Sequence, residues 1–176
     1  DRGSTVDNIW HQNSFSTPDY YVERTFLTFA TGATIPSANT IDSASLELVT
    51  HDTVNNPASY TTILVEATPA NDTALVLEDF DQVGSTSYGS GTIPAINTAY
   101  TITVNATGLN NIIKGSGNTS WALRSSGDVD NNTPAGVNNV KVRSANHATT
   151  ADRPELSVTH TAPIGGISGL QAKYWG

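Results

Sequence analysis

The chain has 176 residues, of which 37% are hydrophobic and 14% are charged, and its formal net charge is −8. This length suits one all-β domain with a single core. The negative charge repels a phosphate backbone and an anionic membrane surface, so we expect no nucleic-acid partner. No apolar run approaches the roughly 18 residues of a membrane span, so we expect no membrane insertion. Cysteine is absent, which excludes a disulfide framework.

The first stretch of the chain, residues 1–21, is polar and irregular, with Trp10 and Phe15 as its strong apolar residues. We interpret it as an extended arm or an incomplete first strand. A clear alternation of apolar and polar residues begins after it, so we predict a β-sandwich domain over residues 22–161. Residues 162–176 contain several glycines, and we interpret them as a flexible tail and a candidate docking arm.

Two strand patterns flank a turn-rich connection between Glu23 and Thr50. In the second pattern Ala44, Leu46 and Leu48 occupy one face and polar residues occupy the other, which is the two-residue period of a half-buried strand. Such a strand needs a second layer over its apolar face. The stretch therefore predicts two packed sheets.

The rest of the chain repeats the strand pattern between loops and short helices. Residues 71–80 predict one or two helical turns, and Thr107 to Gly115 has the cap, spacing and terminator of a two-turn helix. Residues 51–57 and 84–91 predict loops. The total of about seven or eight strands with one or two short helices is typical of a jelly-roll-like or Greek-key β-sandwich. The further strands are predicted over residues 59–67, 100–104, 120–126, 140–143 and 155–159.

Four segments carry a family resemblance: RTFLTF from Arg24, ATIPSANTIDSASLEL from Ala33, ITVNATGLNNIIKGSGNTSWALRSSGDVDNN from Ile102, and ADRPELSVTHT from Ala151. They resemble the DNRLRE-type β-sandwich domains, in particular the group found in bacteriophage and environmental surface proteins. The resemblance implies a jelly-roll-like module that serves extracellular enzymes as a carbohydrate-binding domain, or virions and appendages as a structural or adhesive part. It implies no catalytic residues.

No arrangement of residues indicates catalysis. The four histidines are scattered without an HExxH pattern, and no GxSxG motif is present. The neighbouring carboxylates Glu78, Asp79 and Asp81 do not fix the separation that a glycosidase pair requires, and loop hydrogen bonding explains them better. We therefore predict a protein that is not an enzyme, with no catalytic and no cofactor-binding residues.

One string resembles the opening of a calcium loop. In DVDNN, Asp128, Asp130 and Asn132 offer oxygen ligands at alternate positions. The glycine of such a loop is replaced by Thr133 and its closing glutamate by Asn139. An Asx-turn loop is the favoured alternative, because Asp and Asn dominate turns for reasons unrelated to metals.

Glycan binding would require an exposed aromatic side chain. Trp121 shares its face with Leu123, so we predict that it lies in the core. Trp10, Tyr88 and Tyr100 are the other aromatic candidates.

The tail also carries candidate interaction residues, since exposed aromatic side chains are costly unless they dock onto something. Leu170, Tyr174 and Trp175 are expected to pack against a neighbouring subunit or a following domain. A loose chain end is the alternative that the sequence leaves open.

These observations predict a non-catalytic β-sandwich module that acts as a structural, decoration or adhesion protein on the surface of a phage virion or another extracellular assembly. Its expected partners are like or unlike subunits of that assembly, together with a host glycan. The alternative is a carbohydrate-binding module of a secreted polysaccharide-degrading enzyme. The expected location is extracellular or at the virion surface.

Overall fold

A computed structural model describes residues 8–16, 19–72 and 74–163. Strands make up 43% of it, and they form two sheets packed as a sandwich, so the predicted all-β fold class is confirmed. The strands are β1 Asn8–Ser16, β2 Asp19–Glu23, β3 Thr25–Phe29, β4 Thr40–Asn55, β5 Thr62–Glu66, β6 Gly89–Gly91, β7 Ala99–Thr103, β8 Thr119–Ser125, β9 Asn139–Arg143 and β10 Glu155–Thr161. The α-helices are α1 Ala106–Asn111 and α2 Ser126–Val129, and 3₁₀ helices span Thr31–Ala33, Leu77–Asp81 and Thr150–Asp152.

The larger sheet has the order β10-β4-β9-β1-β2, with β7 also paired to β4, and the smaller sheet has the order β3-β8-β5-β6. The long strand β4 pairs with β10 and β7 through its first part and with β9 through its last part. The chain leaves the larger sheet at the end of β2 and enters the smaller sheet at β3, with Arg24 between them. Arg24 therefore lies at the corner where the two sheets are joined.

The core lies between the two sheets. Leu46 and Leu48 of β4 are fully buried, as the alternating pattern predicts, and Leu123 faces them from β8. Trp121 is also fully buried, which confirms the prediction that it is a core residue. Its ring packs edge-on against Tyr88, with the two ring centroids 6.4 Å apart. Both residues lie on the side of the smaller sheet, where the ring contact fills the core beneath β5 and β8.

The first 21 residues, interpreted from sequence as an arm or incomplete strand, contain β1 and the first part of β2. Strand β1 pairs with β9 over residues 8–12 and with β2 over residues 12–16. Two of its polar side chains, His11 and Ser14, are only 1% and 2% exposed. Polar side chains at buried positions remove the apolar alternation on which strand prediction depends.

Strands also occupy two predicted loops. Strand β4 continues through residues 51–55 because its last residues pair with β9. Strand β6 lies in the predicted loop 84–91 and pairs with β5. A Cβ atom on Gly89 would lie 2.4 Å from the carbonyl oxygen of Thr103, so β6 requires glycine to approach β7.

Helix α1, Ala106–Asn111, overlaps the region predicted to be helical, but it begins and ends earlier than Thr107 and Gly115 imply. The cap is Asn105, whose side-chain oxygen accepts a hydrogen bond of 3.0 Å from the Gly108 N–H. Asparagine is among the strongest N-cap residues, so this cap overrides the threonine two positions later.

The segment from Thr68 to Gly84 covers the outer face of the smaller sheet. Val65 and Ala122 of that face are fully buried, and Val83 packs against them. The buried carboxylate of Asp79 accepts hydrogen bonds of 2.7 and 2.8 Å from the backbone N–H groups of Ala70 and Val76. The prediction that loop hydrogen bonding accounts for Asp79 is confirmed.

Candidate interaction surface

The candidate calcium residues lie in and after α2. The Asp128 carboxylate binds two guanidinium groups: Arg24 donates from Nε and Nη2 at 2.9 Å each, and Arg124 donates from Nε at 2.6 Å. Burial raises the pKa of Asp128, but the hydrogen bonds and charges of the two arginines outweigh it and hold the pKa below its usual value. Asp130 and Asn132 are exposed.

A calcium ion bound through Asp128 would have to displace these two cations. In the part of the chain that the structure describes, no group of three or more His, Asp or Glu side chains is placed to hold a metal ion. The Asp128, Asp130 and Asn132 site stays a sequence prediction. The tail candidates Leu170, Tyr174 and Trp175 lie outside the described residues.

The three aromatic candidates for glycan binding lie in different surroundings in the structure. Tyr88 is 5% exposed and belongs to the core. The Tyr100 hydroxyl lies 3.1 Å from the Thr62 hydroxyl, and burial raises the pKa of Tyr100 to about 12. Trp10 is partly exposed and lines a surface cavity. Trp10 therefore lies beside a surface cavity, whereas Tyr88 belongs to the core.

Exposed hydrophobic side chains are concentrated in two segments. Within the described residues nine large hydrophobic side chains are exposed, and six of them lie in residues 19–24 and 76–81. Leu77 is the most exposed, at 78%. We call residues 19–24 and 76–81 together the β2–Phe80 surface. Its exposed hydrophobic residues are Tyr20, Tyr21, Val22, Val76, Leu77 and Phe80, whereas the other three, Ile96, Ile113 and Val137, are elsewhere in the sequence.

Arg24 joins the two segments of this surface. Its guanidinium carbon lies 4.3 Å from the centre of the Phe80 ring, and its Nη1 atom donates a hydrogen bond of 2.7 Å to the Phe80 carbonyl. The same Nη1 atom lies 3.8 Å from the exposed carboxylate of Asp81. Since Asp128 holds the other side of the guanidinium, the arginine fixes the loop segment against the end of β2.

Strand β2 is an open sheet edge. Among the described strands it pairs only with β1, and all five of its residues are exposed. Asp19, Tyr21 and Glu23 point to one face and Tyr20 and Val22 to the other, as the two-residue period of a strand requires. As far as residues 8–16, 19–72 and 74–163 show, both faces of the strand and one backbone edge are therefore available to a partner.

A groove adjoins this surface. Its first cavity, of about 300 Å³, is lined by Trp10, Val22, Glu23, Arg24 and Phe80 among others. The amine of Lys141 lies 4.0 Å from the centre of the Trp10 ring. Loss of hydration raises the pKa of the Glu23 carboxyl. A second cavity, of about 390 Å³, continues the groove and shares Ile9, Phe26 and Leu75 with the first.

Sequence reasoning did not single out the β2–Phe80 surface. The run DYYVE has the aromatic and β-branched composition of a strand, and this signal was available. The run lies at the boundary between the predicted arm and the predicted domain, and its composition does not show that one edge of the strand is unpaired. The link from Arg24 to Asp128 spans 104 residues and has no local signal.

No protein-family model matches this chain, and no curated protein matches it. None of the helices in the described ranges is long and apolar enough to cross a membrane. The surface is therefore interpreted from its own geometry.

Proposed function

We propose that this protein is a non-catalytic structural or adhesion module on the surface of a virion or another extracellular assembly, where it packs against other subunits. The observation that carries the proposal is the concentration of exposed hydrophobic side chains on the β2–Phe80 surface, beside the open edge of β2.

Two physical costs support this reading. Clustered apolar side chains at the surface mark interaction sites when they lie together, and each one buried by a partner contributes about 1 to 3 kcal/mol. An open strand edge also leaves a row of unpaired backbone groups, which invites another strand to pair. Both features occur on the same surface, so one partner would satisfy both.

The proposed location of the protein is inferred from its sequence. The resemblance to DNRLRE-type domains implies an extracellular or virion location, and a chain without cysteine and with a net charge of −8 is compatible with it. The partners are like or unlike subunits of the assembly.

Site-specific photo-crosslinking in the native assembly tests the proposal. A photoreactive amino acid at Leu77 is expected to join the chain to another subunit, because this side chain is 78% exposed on the β2–Phe80 surface. The matched control replaces Ile96, which is 50% exposed in a different part of the sequence. Crosslinks of equal yield from both positions, or from neither, would contradict the proposal.

A second candidate function is carbohydrate binding, as in a module of a secreted polysaccharide-degrading enzyme. The observation that favours it is the groove, which combines the Trp10 and Phe80 rings with the Glu23 carboxylate and Arg24. Pockets with aromatic walls and a few polar groups are suited to small ligands, and a sugar offers both C–H faces and hydroxyl groups to such a site.

A panel of soluble polysaccharides separates the two candidates. If the groove binds glycan, Trp10→Ala should abolish retention on the bound polysaccharide, whereas Ile96→Ala should leave it unchanged. Thermal unfolding of both variants checks that the fold survives. If no polysaccharide binds the wild-type chain and Leu77 still crosslinks to a subunit, the structural module stands and the carbohydrate-binding module is rejected.

A further inference from the structure

We propose that the β2–Phe80 surface accepts an extended basic segment of an unlike subunit, which adds as a strand along the open edge of β2. This inference rests on the proposed function and names the chemistry of its partner. Strand addition is favoured because β2 is exposed on both faces and pairs on one side only, with β1, among the described strands.

A second copy of the same strand is a poor occupant. In the antiparallel register that pairs all five residues, Tyr21 lies opposite Tyr21 of the other copy and Asp19 lies opposite Glu23, at both ends of the ladder. In a parallel pairing each carboxylate lies beside its own copy. Like charges placed directly opposite each other in a sheet are destabilising. The two carboxylates therefore oppose pairing of β2 with itself.

The charges around the surface favour a basic partner. Four exposed carboxylates belong to residues 19–24 and 76–81, and the single basic residue there is Arg24. Arg24 binds Asp128 and the Phe80 carbonyl and lies 3.8 Å from Asp81, so it offsets charge on the loop segment rather than on the β2 carboxylates Asp19 and Glu23. The exposed carboxylates are Asp19, Glu23, Glu78 and Asp81.

The spacing of the two β2 carboxylates predicts where a partner strand would carry its basic residues. Asp19 and Glu23 flank Tyr21 on one face of β2, while Tyr20 and Val22 occupy the other. A matching strand carries Lys or Arg at two positions that are four residues apart, so that both side chains lie on the same face. The residues next to them, between the two basic positions, are apolar and point to the opposite face. Opposite charges directly across a ladder stabilise such pairs.

A variant of this chain can imitate the basic partner strand. The double variant Asp19→Lys/Glu23→Lys, paired antiparallel with the wild-type strand, places each introduced lysine opposite a wild-type carboxylate. We expect the wild-type protein, immobilised on a sensor, to bind the double variant at least tenfold more tightly than it binds wild-type protein. The double variant should also bind itself weakly, and added salt should weaken the mixed pair.

The matched control is Glu47→Lys/Glu155→Lys, which changes the net charge by the same amount. These two exposed glutamates are cross-strand neighbours of β4 and β10, away from the β2 edge. If this control binds the wild-type protein as tightly as the first variant does, general charge attraction is the cause and the proposal is overturned. The proposal is also overturned if the wild-type protein binds itself as tightly as it binds the Asp19→Lys/Glu23→Lys variant.

Two further measurements keep the test decisive. If the double variant fails to fold, the synthetic peptides KYYVK and EYYVE replace it as probes, and only the basic peptide should bind. In the native assembly, a photoreactive amino acid at Tyr21 should crosslink to a Lys- or Arg-containing segment of another protein. A crosslink between two copies of this chain would reject the basic partner, while crosslinks from Leu77 would still support the structural module.

Discussion

The Nε2 atom of His11 lies 2.9 Å from the Thr62 hydroxyl and joins the larger sheet to the smaller one inside the core. The imidazole is only 1% exposed, and its buried Nδ1 atom has no hydrogen-bond partner among the residues that the structure describes. Burial lowers the pKa of His11 from 6.5 to about 4, so the ring is neutral at neutral pH.

This histidine predicts a loss of stability in acid. In the unfolded chain the ring takes up a proton as the pH falls below 6.5, whereas in the folded chain it does so only near pH 4. The free energy of unfolding should therefore fall between these two values, by about 3 kcal/mol, since each pKa unit corresponds to about 1.4 kcal/mol. Urea unfolding across this pH window measures the loss.

A variant without the titrating ring provides the control for this prediction. His11→Gln should be less stable than wild type at neutral pH, because the core contact with Thr62 changes, but its stability should depend less on pH across the same window. An unchanged slope in His11→Gln would exclude His11 as the cause.

Asp128 should be important for stability because two buried cations depend on it. The side chains of Arg24, Arg124 and Asp128 are 13%, 8% and 6% exposed. Asp128→Asn removes the buried counterion that the two guanidinium groups share, and we expect it to lower the free energy of unfolding by about 3 kcal/mol. The measurement is chemical denaturation at neutral pH.

The matched control for Asp128 is Asp81→Asn. The Asp81 side chain also lies near Arg24, at 3.8 Å, but it is 87% exposed. Exposed pairs contribute little, so the expected loss is under about 1 kcal/mol. Equal losses in the two variants would show that the buried cluster does not stabilise the fold as argued.

How far the sequence predicts this molecule depends on the type of residue at each buried position. Leu46, Leu48 and Trp121 follow an alternating apolar pattern, and their burial is predicted. His11 and Thr62 are polar residues at buried positions, so the pattern misses them and the strand around His11. Their burial depends on a hydrogen bond between residues 51 positions apart, which no local rule detects.

The candidate surface shows the same limit. Arg124 and Asp128 are four residues apart, but Arg124 lies on strand β8 and Asp128 in α2, so the helical spacing rule does not predict their ion pair. The position of Arg24 in the same cluster, and of Phe80 over it, follows only from the way the sheets and the loop 68–84 assemble. Exposure is also a property of the whole fold, so the open edge of β2 could not be derived from DYYVE alone.

Calcium should not stabilise the fold through Asp128. Two guanidinium groups already neutralise this carboxylate, and their positive charges would repel a calcium ion placed beside them. Thermal unfolding in about 1 mM calcium, a concentration that fills many extracellular sites, is therefore expected to give the same Tm as in a chelator. A higher Tm that Asp130→Ala abolishes would instead support a calcium loop at Asp128, Asp130 and Asn132.

The close approach of β6 to β7 predicts the effect of adding one methyl group. In Gly89→Ala the new Cβ atom would lie 2.4 Å from the Thr103 carbonyl oxygen and 2.8 Å from a methyl group of Ile102. Because the first contact is with backbone, the strands must separate, and we expect a loss of about 2 kcal/mol. Gly136→Ala is the control, since among the described residues no atom beyond Gly136 and its two chain neighbours lies within 4 Å of its added Cβ atom. Urea denaturation should show it to be neutral or slightly more stable than wild type. If Gly89→Ala were equally neutral, the close packing of β6 against β7 would not be what requires glycine there.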